Sequence, residues 1–303
     1  MKNLCSIVLV VSLATLCFSR CRNPEKPPEK PPYDWPRYNY TESAWSPDGN
    51  FIAYEYGGNP YGTDTAGIFI FDPRDSTSRY LIHGMNPDWS PDGEWIVFGE
   101  HAGIWKIKVN GDSLTQLTFN GNTFFPDWSP NGKNIAYDCT TDPPGYGIWI
   151  MNADGTDKKS LGLGRNPDWS PSGSKFVYEG GPGPTKAASQ IWVADTNGAN
   201  TSQLTFQAIT NRCPAWSPDG SKIAFSSSVE EQGPRIWIMD ADGGNLKKIT
   251  EEGGDIPSWS PDGSKIAYTN TKLGEIWVME PDGTGKRKLI GYPDTTKGGK
   301  NVK

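Results

Sequence analysis

Acidic side chains recur beside tryptophan in this chain. Asp88, Asp127 and Asp168 each stand one residue before a tryptophan, at intervals of 39 and 41 residues. Three carboxylates brought together could hold a divalent cation, because calcium prefers oxygen ligands. Buried carboxylates more often accept hydrogen bonds from nearby backbone or serine groups. We favour this structural role for the three aspartates and predict no metal site.

Residues suited to catalysis are few. The chain has two histidines, His83 and His101, so it cannot supply a zinc site with three histidine ligands. It also lacks the Gly-x-Ser-x-Gly segment of a nucleophile elbow. We expect both histidines in solvated loops on one face of the protein, where they could meet. Hydrolysis by a pair of carboxylates needs no sequence motif and stays compatible with the chain. We nevertheless predict a protein that is not an enzyme and uses no cofactor.

One seven-residue phrase, built around Trp-Ser-Pro, occurs six times. It reads SAWSPDG at 43–49, PDWSPDG from Pro87, PDWSPNG from Pro126, PDWSPSG from Pro167, PAWSPDG from Pro214 and PSWSPDG from Pro257. Its tryptophans lie 39 to 47 residues apart, which is the length of one four-stranded propeller blade. The sequence therefore predicts an all-β fold, a six-bladed β-propeller of four-stranded antiparallel blades.

Each repeat contains further strand and turn signals. In the fifth repeat the strand KIAF at 222–225 follows the phrase, Ile236-Trp237 marks a third strand, and Asp242-Gly243 marks a tight turn before a fourth. The proline two residues before the tryptophan, Pro214 in this repeat, cannot donate a hydrogen bond to a strand ladder. We therefore expect the first strand to be the innermost, facing a central channel.

Strand direction then divides the loops between two faces. The Ser-Pro turns and the Asp-Gly turns fall on one side, which we call face two. The loops between second and third strands and the connections between blades fall on the opposite side, face one. Face one includes GGNPYGTDTA at 57–66, TTDPPGYG at 140–147, GGPGPTKAAS at 180–189 and SSSVEEQGP at 226–234. Binding residues concentrate on variable loops over a rigid scaffold, so face one is the predicted working surface.

The first residues predict export. Lys2 precedes an apolar run, residues 4–18, that is short for a membrane span, so we interpret residues 1–20 as a signal peptide. Residues 21–36 follow as a proline-rich tether, residues 37–290 as the propeller and residues 291–303 as a flexible tail. Cys21 directly after the signal resembles the lipidated cysteine of bacterial lipoproteins. Arg20 departs from the small residue usual before such a cysteine, so a soluble secreted form remains open.

The charge of the chain excludes one class of partner. It carries 29 Lys plus Arg against 35 Asp plus Glu, a formal net charge of −6. Binding to nucleic acid depends on clustered positive charge that displaces counterions from the phosphates. We therefore expect no nucleic-acid partner, and contact with a membrane only through a lipid on Cys21.

The repeat resembles that of TolB-type β-propellers, six-bladed relatives of WD-repeat proteins. The phrase PxWSPDGxxIAF, followed by IWxMxxDG and LT, covers residues 43–290. The resemblance implies a periplasmic protein whose channel receives a peptide from a lipoprotein partner at one end. TolB also has an N-terminal α/β domain that engages its partners. Residues 23–42 leave no room for such a domain, so we expect this chain to lack it.

The same resemblance implies a binding site just ahead of the tryptophans. The candidate residues are Glu42, His83, Asn86, Phe124, Tyr146, Arg165, Asn166, Arg212 and Asp255. Arg165 and Arg212 could hold a carboxylate through paired hydrogen bonds, and Phe124 or Tyr146 could stack on a ligand. The alternative is that these residues are solvated, or that the arginines pair with Glu42 and Asp255.

These observations lead to one predicted function and two alternatives. We predict a non-catalytic, exported scaffold of the cell envelope, a monomer that binds an envelope protein or peptide through face one. The first alternative is a propeller that binds or processes carbohydrate, with Tyr61, Phe124 and Tyr146 stacked on sugar rings. The second is a purely structural component of the envelope.

Overall fold

Antiparallel strands make up the regular structure of this chain. The computed structural model describes residues 40–57, 66–101, 103–119, 122–140, 147–181, 189–206, 209–229 and 233–291. In these residues 24 strands form six four-stranded sheets. None of the described residues forms a helix long and apolar enough to cross a membrane. The predicted signal peptide, the tether with Cys21, Tyr61, Tyr146 and residues 292–303 lie outside the described part.

The first three blades use the following strands. Blade one contains β1 Tyr40–Trp45, β2 Ile52–Tyr56, β3 Gly67–Asp72 and β4 Thr77–Ile82. Blade two contains β5 Met85–Trp89, β6 Trp95–Glu100, β7 Gly103–Lys108 and β8 Thr115–Gln116. Blade three contains β9 Thr123–Trp128, β10 Asn134–Cys139, β11 Gly147–Asn152 and β12 Lys159–Ser160.

The last three blades repeat this order. Blade four contains β13 Arg165–Trp169, β14 Lys175–Gly180, β15 Gln190–Asp195 and β16 Ser202–Gln203. Blade five contains β17 Thr210–Trp216, β18 Lys222–Val229, β19 Gly233–Asp240 and β20 Lys247–Lys248. Blade six contains β21 Asp255–Trp259, β22 Ile266–Asn270, β23 Glu275–Met279 and β24 Arg287–Ile290. In every blade each strand pairs with the next in sequence, which confirms the predicted fold class.

The first strand of each blade lies at the centre of the ring. All six first strands line one open channel with a volume of about 250 Å³. This confirms the inner position predicted from the prolines. Since neighbouring strands run antiparallel, the Ser-Pro turns lie on face two, and the connections between blades lie on face one. Most of the face-one loops predicted to bind fall outside the described residues.

The Ser-Pro turns owe their shape to a buried serine. In blade five the hydroxyl of Ser217 donates to Asp219 Oδ1 at 2.6 Å and accepts the backbone N–H of Lys222 at 2.9 Å. Gly220 adopts the left-handed φ of 71° that closes the turn, a conformation that costs glycine little. The glycines of the other five Ser-Pro turns have φ between 69° and 72°. The repeated phrase therefore specifies a turn that starts the second strand in register.

Removing one of these hydroxyls should weaken the fold measurably. In the Ser217→Ala variant the partly buried N–H of Lys222 loses its side-chain acceptor, and we expect the free energy of unfolding to fall by about 1 to 3 kcal/mol. Urea unfolding followed by tryptophan fluorescence measures this change. Ser221→Ala, in the same turn but exposed, serves as the control and should change stability by less than about 0.5 kcal/mol. Equal losses in the two variants would contradict the role of the buried hydroxyl.

The hydrophobic core lies between blades rather than at one centre. Among the described residues, six clusters of buried side chains each join two neighbouring blades. One of them packs Ala267, Ile276 and Ile290 of blade six against Tyr54 and other residues of blade one. Blades one and six are each built from one continuous segment. The ring is therefore closed by side-chain packing, with no strand exchanged between the first and last blades in the described chain.

Candidate functional site

A β-bulge interrupts every inner strand where it approaches face one. The pairing register between first and second strands shifts at this point in all six blades. In blades two to six the residue three before the tryptophan is left-handed, with φ between 49° and 53°: Asn86, Phe125, Asn166, Cys213 and Ile256. A proline follows each of these residues. Proline has no N–H to donate to the strand ladder, and the bulge tolerates it because the ladder of hydrogen bonds is already interrupted there. Glu42 holds the equivalent sequence position in blade one.

The bulge decides which side chains enter the channel. Glu42 and Asn86, both expected at the site, line it. Phe124, Arg165, Arg212 and Asp255 stand one residue before the bulge and pair with the second strand. In those blades the residues that line the channel are Phe125, Asn166, Cys213 and Ile256. Three of these, Phe125, Cys213 and Ile256, are site residues that sequence reasoning missed, because simple strand alternation does not count the extra residue.

Both candidate arginines already bind carboxylates of this chain. Arg165 donates from Nε and Nη2 to Oε1 of Glu179 at 2.9 and 2.5 Å. Arg212 Nη2 donates to Asp255 Oδ2 at 2.6 Å, which links blade five to blade six. The pairing of Arg212 with Asp255 was one of the alternatives that the sequence left open. Arg165 instead pairs with Glu179, which is 4% exposed and was not among the predicted site residues.

Two further carboxylates, both on second strands, face the bulges. Glu55 Oε2 accepts the backbone N–H of Asn86 at 3.2 Å, and Asp138 Oδ1 accepts that of Asn166 at 2.8 Å. Sequence reasoning missed these acids as well. Their signal is an acidic residue directly after the buried tyrosine of an apolar strand, as in Tyr54-Glu55, Tyr137-Asp138 and Tyr178-Glu179.

We define the channel mouth as the bulge residues with the charged side chains beside them. It comprises Glu42, Asn86, Phe125, Asn166, Cys213 and Ile256, together with Glu55, Asp138, Arg165, Glu179, Arg212 and Asp255. Its acidic residues outnumber its arginines. Burial raises the pKa of Glu42 to about 8, and the charge of Glu55 adds to this effect. Burial also raises the pKa of Asp138. The mouth therefore changes charge with pH.

Deeper in the channel, the three aspartates next to tryptophan connect successive blades. Each accepts the backbone N–H of the tryptophan in the next blade, which confirms the predicted structural role. The bonds are 2.7 Å long and run from Trp128 to Asp88, from Trp169 to Asp127 and from Trp216 to Asp168. Among the described residues, no group of three His, Cys, Asp or Glu side chains is arranged to hold a metal ion.

Histidine and aromatic side chains stand elsewhere on face one. The rings of His83 and His101 lie 6.3 Å apart, and their Nδ1 atoms are 4.0 and 3.4 Å from Glu100 Oε1. The two histidines therefore meet on an exposed surface, as the sequence allowed. Phe119 and Phe206, each following an outermost strand, are both 76% exposed.

Among the candidate aromatic residues, one can be located. The half-buried ring of Phe124 lies 6.5 Å from that of Phe125, so blade three presents two aromatic rings near the mouth. Tyr61 and Tyr146, the other candidates, lie outside the described residues. Cys139 and Cys213 are free thiols, with Cys139 buried and Cys213 half-buried.

Two bacterial proteins are similar to this chain in sequence. It is 29% identical over 219 residues to the uncharacterized protein Atu1656 of Agrobacterium fabrum, covering 68% of this chain and 74% of that protein. It is 27% identical over 204 residues to the uncharacterized peptidase YuxL of Bacillus subtilis, covering 63% of this chain but only 30% of that protein.

A solved structure of TolB shares the fold of this chain, and a family model of the TolB propeller matches its sequence. The crystal structure of TolB from Acinetobacter baumannii superposes with a TM-score of 0.67 at 20% identity, covering 84% of this chain and 63% of that one. The family described as TolB β-propeller domain matches residues 140–301, more than half of the chain. With six Trp-Ser-Pro blades around a channel lined by their first strands, the chain belongs to the TolB β-propeller domain family.

Proposed function

We propose that this propeller is a non-catalytic scaffold that binds a segment of a partner protein at the channel mouth. The observation that carries the proposal is the convergence of the bulged residues of six blades on one open channel of about 250 Å³. A bulge is a common device for aiming a side chain at a functional site. A concave opening with a few convergent polar groups is also the usual form of a binding site.

Charge indicates which segment would bind. The guanidinium groups of Arg165 and Arg212 are engaged by Glu179 and Asp255, so a ligand carboxylate would have to displace a carboxylate of the protein. Once ionised, the remaining acids of the mouth favour a segment with lysine, arginine or a free amino group, and the raised pKa values of Glu42 and Asp138 make this attraction stronger as the pH rises. Phe119 and Phe206 would add apolar contacts at the outer edge of face one.

We base the non-catalytic role on the contacts of the site rather than on the relatives, which include TolB and a protein described as a peptidase. TolB-type propellers are the proteins that this chain resembles in both sequence and fold. YuxL is described as a peptidase, but this chain spans 30% of it, so we do not extend peptidase activity to this chain. The arginines of the mouth and the aspartates of the channel bind other groups of this chain. These contacts are what we expect of side chains that support the structure rather than a reaction.

We further propose that the protein works outside the cytoplasm as a monomer of the cell envelope. Lys2, the apolar run at residues 4–18 and Cys21 support an export signal followed by a lipid anchor or by cleavage to a soluble form. A proline-rich tether at residues 21–36 would hold the propeller away from the membrane.

Arrays of short random peptides, probed with the purified propeller, test the proposed site. At pH 9, above the raised pKa of Glu42, we expect the wild type to select peptides with lysine or arginine, and Glu42→Gln to weaken binding of the same peptides about tenfold or more. We expect Arg212→Ala to strengthen that binding, because it frees the negative charge of Asp255. Glu280→Gln and Arg74→Ala are the matched controls. Each makes the same change on face two, where Glu280 and Arg74 are exposed and paired with Lys265 and Asp72. Both controls should bind as the wild type does.

Three results would reject the proposed site. The first is peptide binding that neither mouth variant changes, and the second is binding that changes equally in the face-two controls. The third is binding to a glycan array, lost in Phe124→Ala, which would favour the carbohydrate alternative. Circular dichroism and the thermal midpoint of each variant separate loss of the site from loss of the fold.

A further inference from the structure

Three of the six joints between blades contain the same partly buried hydrogen bond. Asp88, Asp127 and Asp168 join blades two to three, three to four and four to five through a tryptophan N–H. The equivalent positions in the other blades are Ala44, Ala215 and Ser258. At this position the carboxyl group is present in one half of the inner ring and absent from the other. In that other half, Glu55 and Asp255 make different contacts, between blades one and two and between blades five and six.

The three carboxyl groups share the channel and act on one another. The negative charges of Asp168 and Asp88 disfavour ionisation of Asp127, and the charge of Asp88 disfavours that of Asp168. The other titratable and charged groups on the strands around them belong to the channel mouth and the loop beside it. They are Glu42 on β1, Arg165 on β13, Arg212 and Cys213 on β17, Asp255 on β21, and Glu55, Glu100, Asp138 and Glu179 on the second strands.

We propose that Asp88, Asp127 and Asp168 form a pH-responsive joint that holds blades two to five most firmly when its carboxyl groups are protonated. A protonated carboxyl group still accepts the tryptophan N–H through its carbonyl oxygen and carries no charge. Loss of the proton leaves a negative charge beside two others in the same channel, and this repulsion outweighs the stronger hydrogen bond that each carboxylate could accept. Ionisation therefore weakens the joint and makes the channel negatively charged.

The direction of the pH effect follows from burial. It raises the pKa of Asp88 and Asp168 from the usual 3.8 to about 7, and that of Asp127 well above its usual value. A carboxyl group whose pKa is higher in the folded state stabilises the fold fully below its unfolded pKa, near pH 4. This stability is lost as the pH rises through about 7. The exposed Asp219 of face two, whose pKa is lowered to about 2, acts in the opposite direction and only in stronger acid.

Proton release on unfolding tests the joint. In the Asp88→Asn/Asp127→Asn/Asp168→Asn variant each amide oxygen can still accept the tryptophan N–H but nothing titrates. Near pH 5.5 we expect the wild type to release about three more protons on unfolding than this variant, and each single variant to account for about one of them. The number of protons released is obtained from the pH dependence of the free energy of unfolding in urea, and also from calorimetry of unfolding in two buffers. A difference of less than about one proton overturns the proposal.

A second measurement uses only the wild type, so it tests the proposal even if the triple variant fails to fold. The backbone amide signals of Trp128, Trp169 and Trp216 should shift together as the wild type is titrated from pH 5 to pH 8. The amides of Trp45 and Trp259, which follow blades with serine and alanine at this position, are internal controls and should not share the transition. If the three amides stay constant, or shift no more than the two controls, the joint does not respond to pH.

Discussion

Replacing Phe176 with alanine lowers the free energy of unfolding by about 3 to 5 kcal/mol. Phe176 is fully buried between blades three and four, and its ring lies 4.2 Å from that of Trp169. Its neighbours Ala136, Ile148 and Tyr178 sit on rigid strands and cannot collapse into the space that the ring leaves. The expected loss therefore has two parts: the free energy gained by transferring the ring out of water, and the cost of the cavity that the ring leaves.

Urea unfolding measured by far-ultraviolet circular dichroism checks this value. Phe119→Ala is the matched control, since it deletes the same ring from a site that is 76% exposed, and it should change stability by less than about 0.5 kcal/mol. A loss below about 1 kcal/mol for Phe176→Ala would mean that the contact between blades three and four is not tightly packed.

Replacing Gly164 with alanine disrupts blade four and the channel mouth together. A Cβ atom at this position would overlap the carbonyl oxygen of Glu179 and lie 2.8 Å from its carbonyl carbon. Backbone atoms of a paired strand cannot move aside cheaply, so we expect a loss of about 3 kcal/mol or more. Because Arg165 follows directly and pairs with Glu179, the movement should also break that ion pair.

Gly99→Ala provides the control in an inner part of blade two. A Cβ there would meet Met85 Cγ at 3.5 Å, an ordinary contact, so the substitution should be neutral or stabilise by up to about 1 kcal/mol. Thermal unfolding gives both stabilities, and peptide binding to the purified variants reports on the mouth. Equal stability of the two variants would show that the first strand of blade four is not held as closely to β14 as the structure indicates.

Strand order and turn chemistry were predictable because they depend on local sequence. The six Trp-Ser-Pro phrases predicted six blades, and the buried serines and left-handed glycines of the turns explain why. The inner position of the first strand also followed from one local property, the missing N–H of proline.

The binding site was less predictable because it depends on one extra residue in each inner strand. The bulge turns Phe125 and Cys213 into the channel in place of Phe124 and Arg212. No residue type marks the bulge in the sequence except the following proline, which also suits a regular strand end. Arg165 lies one residue before the bulge, and its partner Glu179 lies on the next strand, so only pairing between strands brings the two together.

By itself, then, the sequence determined the number of blades, the strand order and the face on which each kind of turn lies, because these follow from short-range geometry and a fixed repeat. Only the tertiary structure decided how the ring closes, which side chains enter the channel and which charges meet there. Closure rests on packing between Ile290 of blade six and residues of blade one, which are remote in sequence. The chain of Asp88, Asp127 and Asp168 contacts likewise exists only because the propeller brings successive repeats side by side.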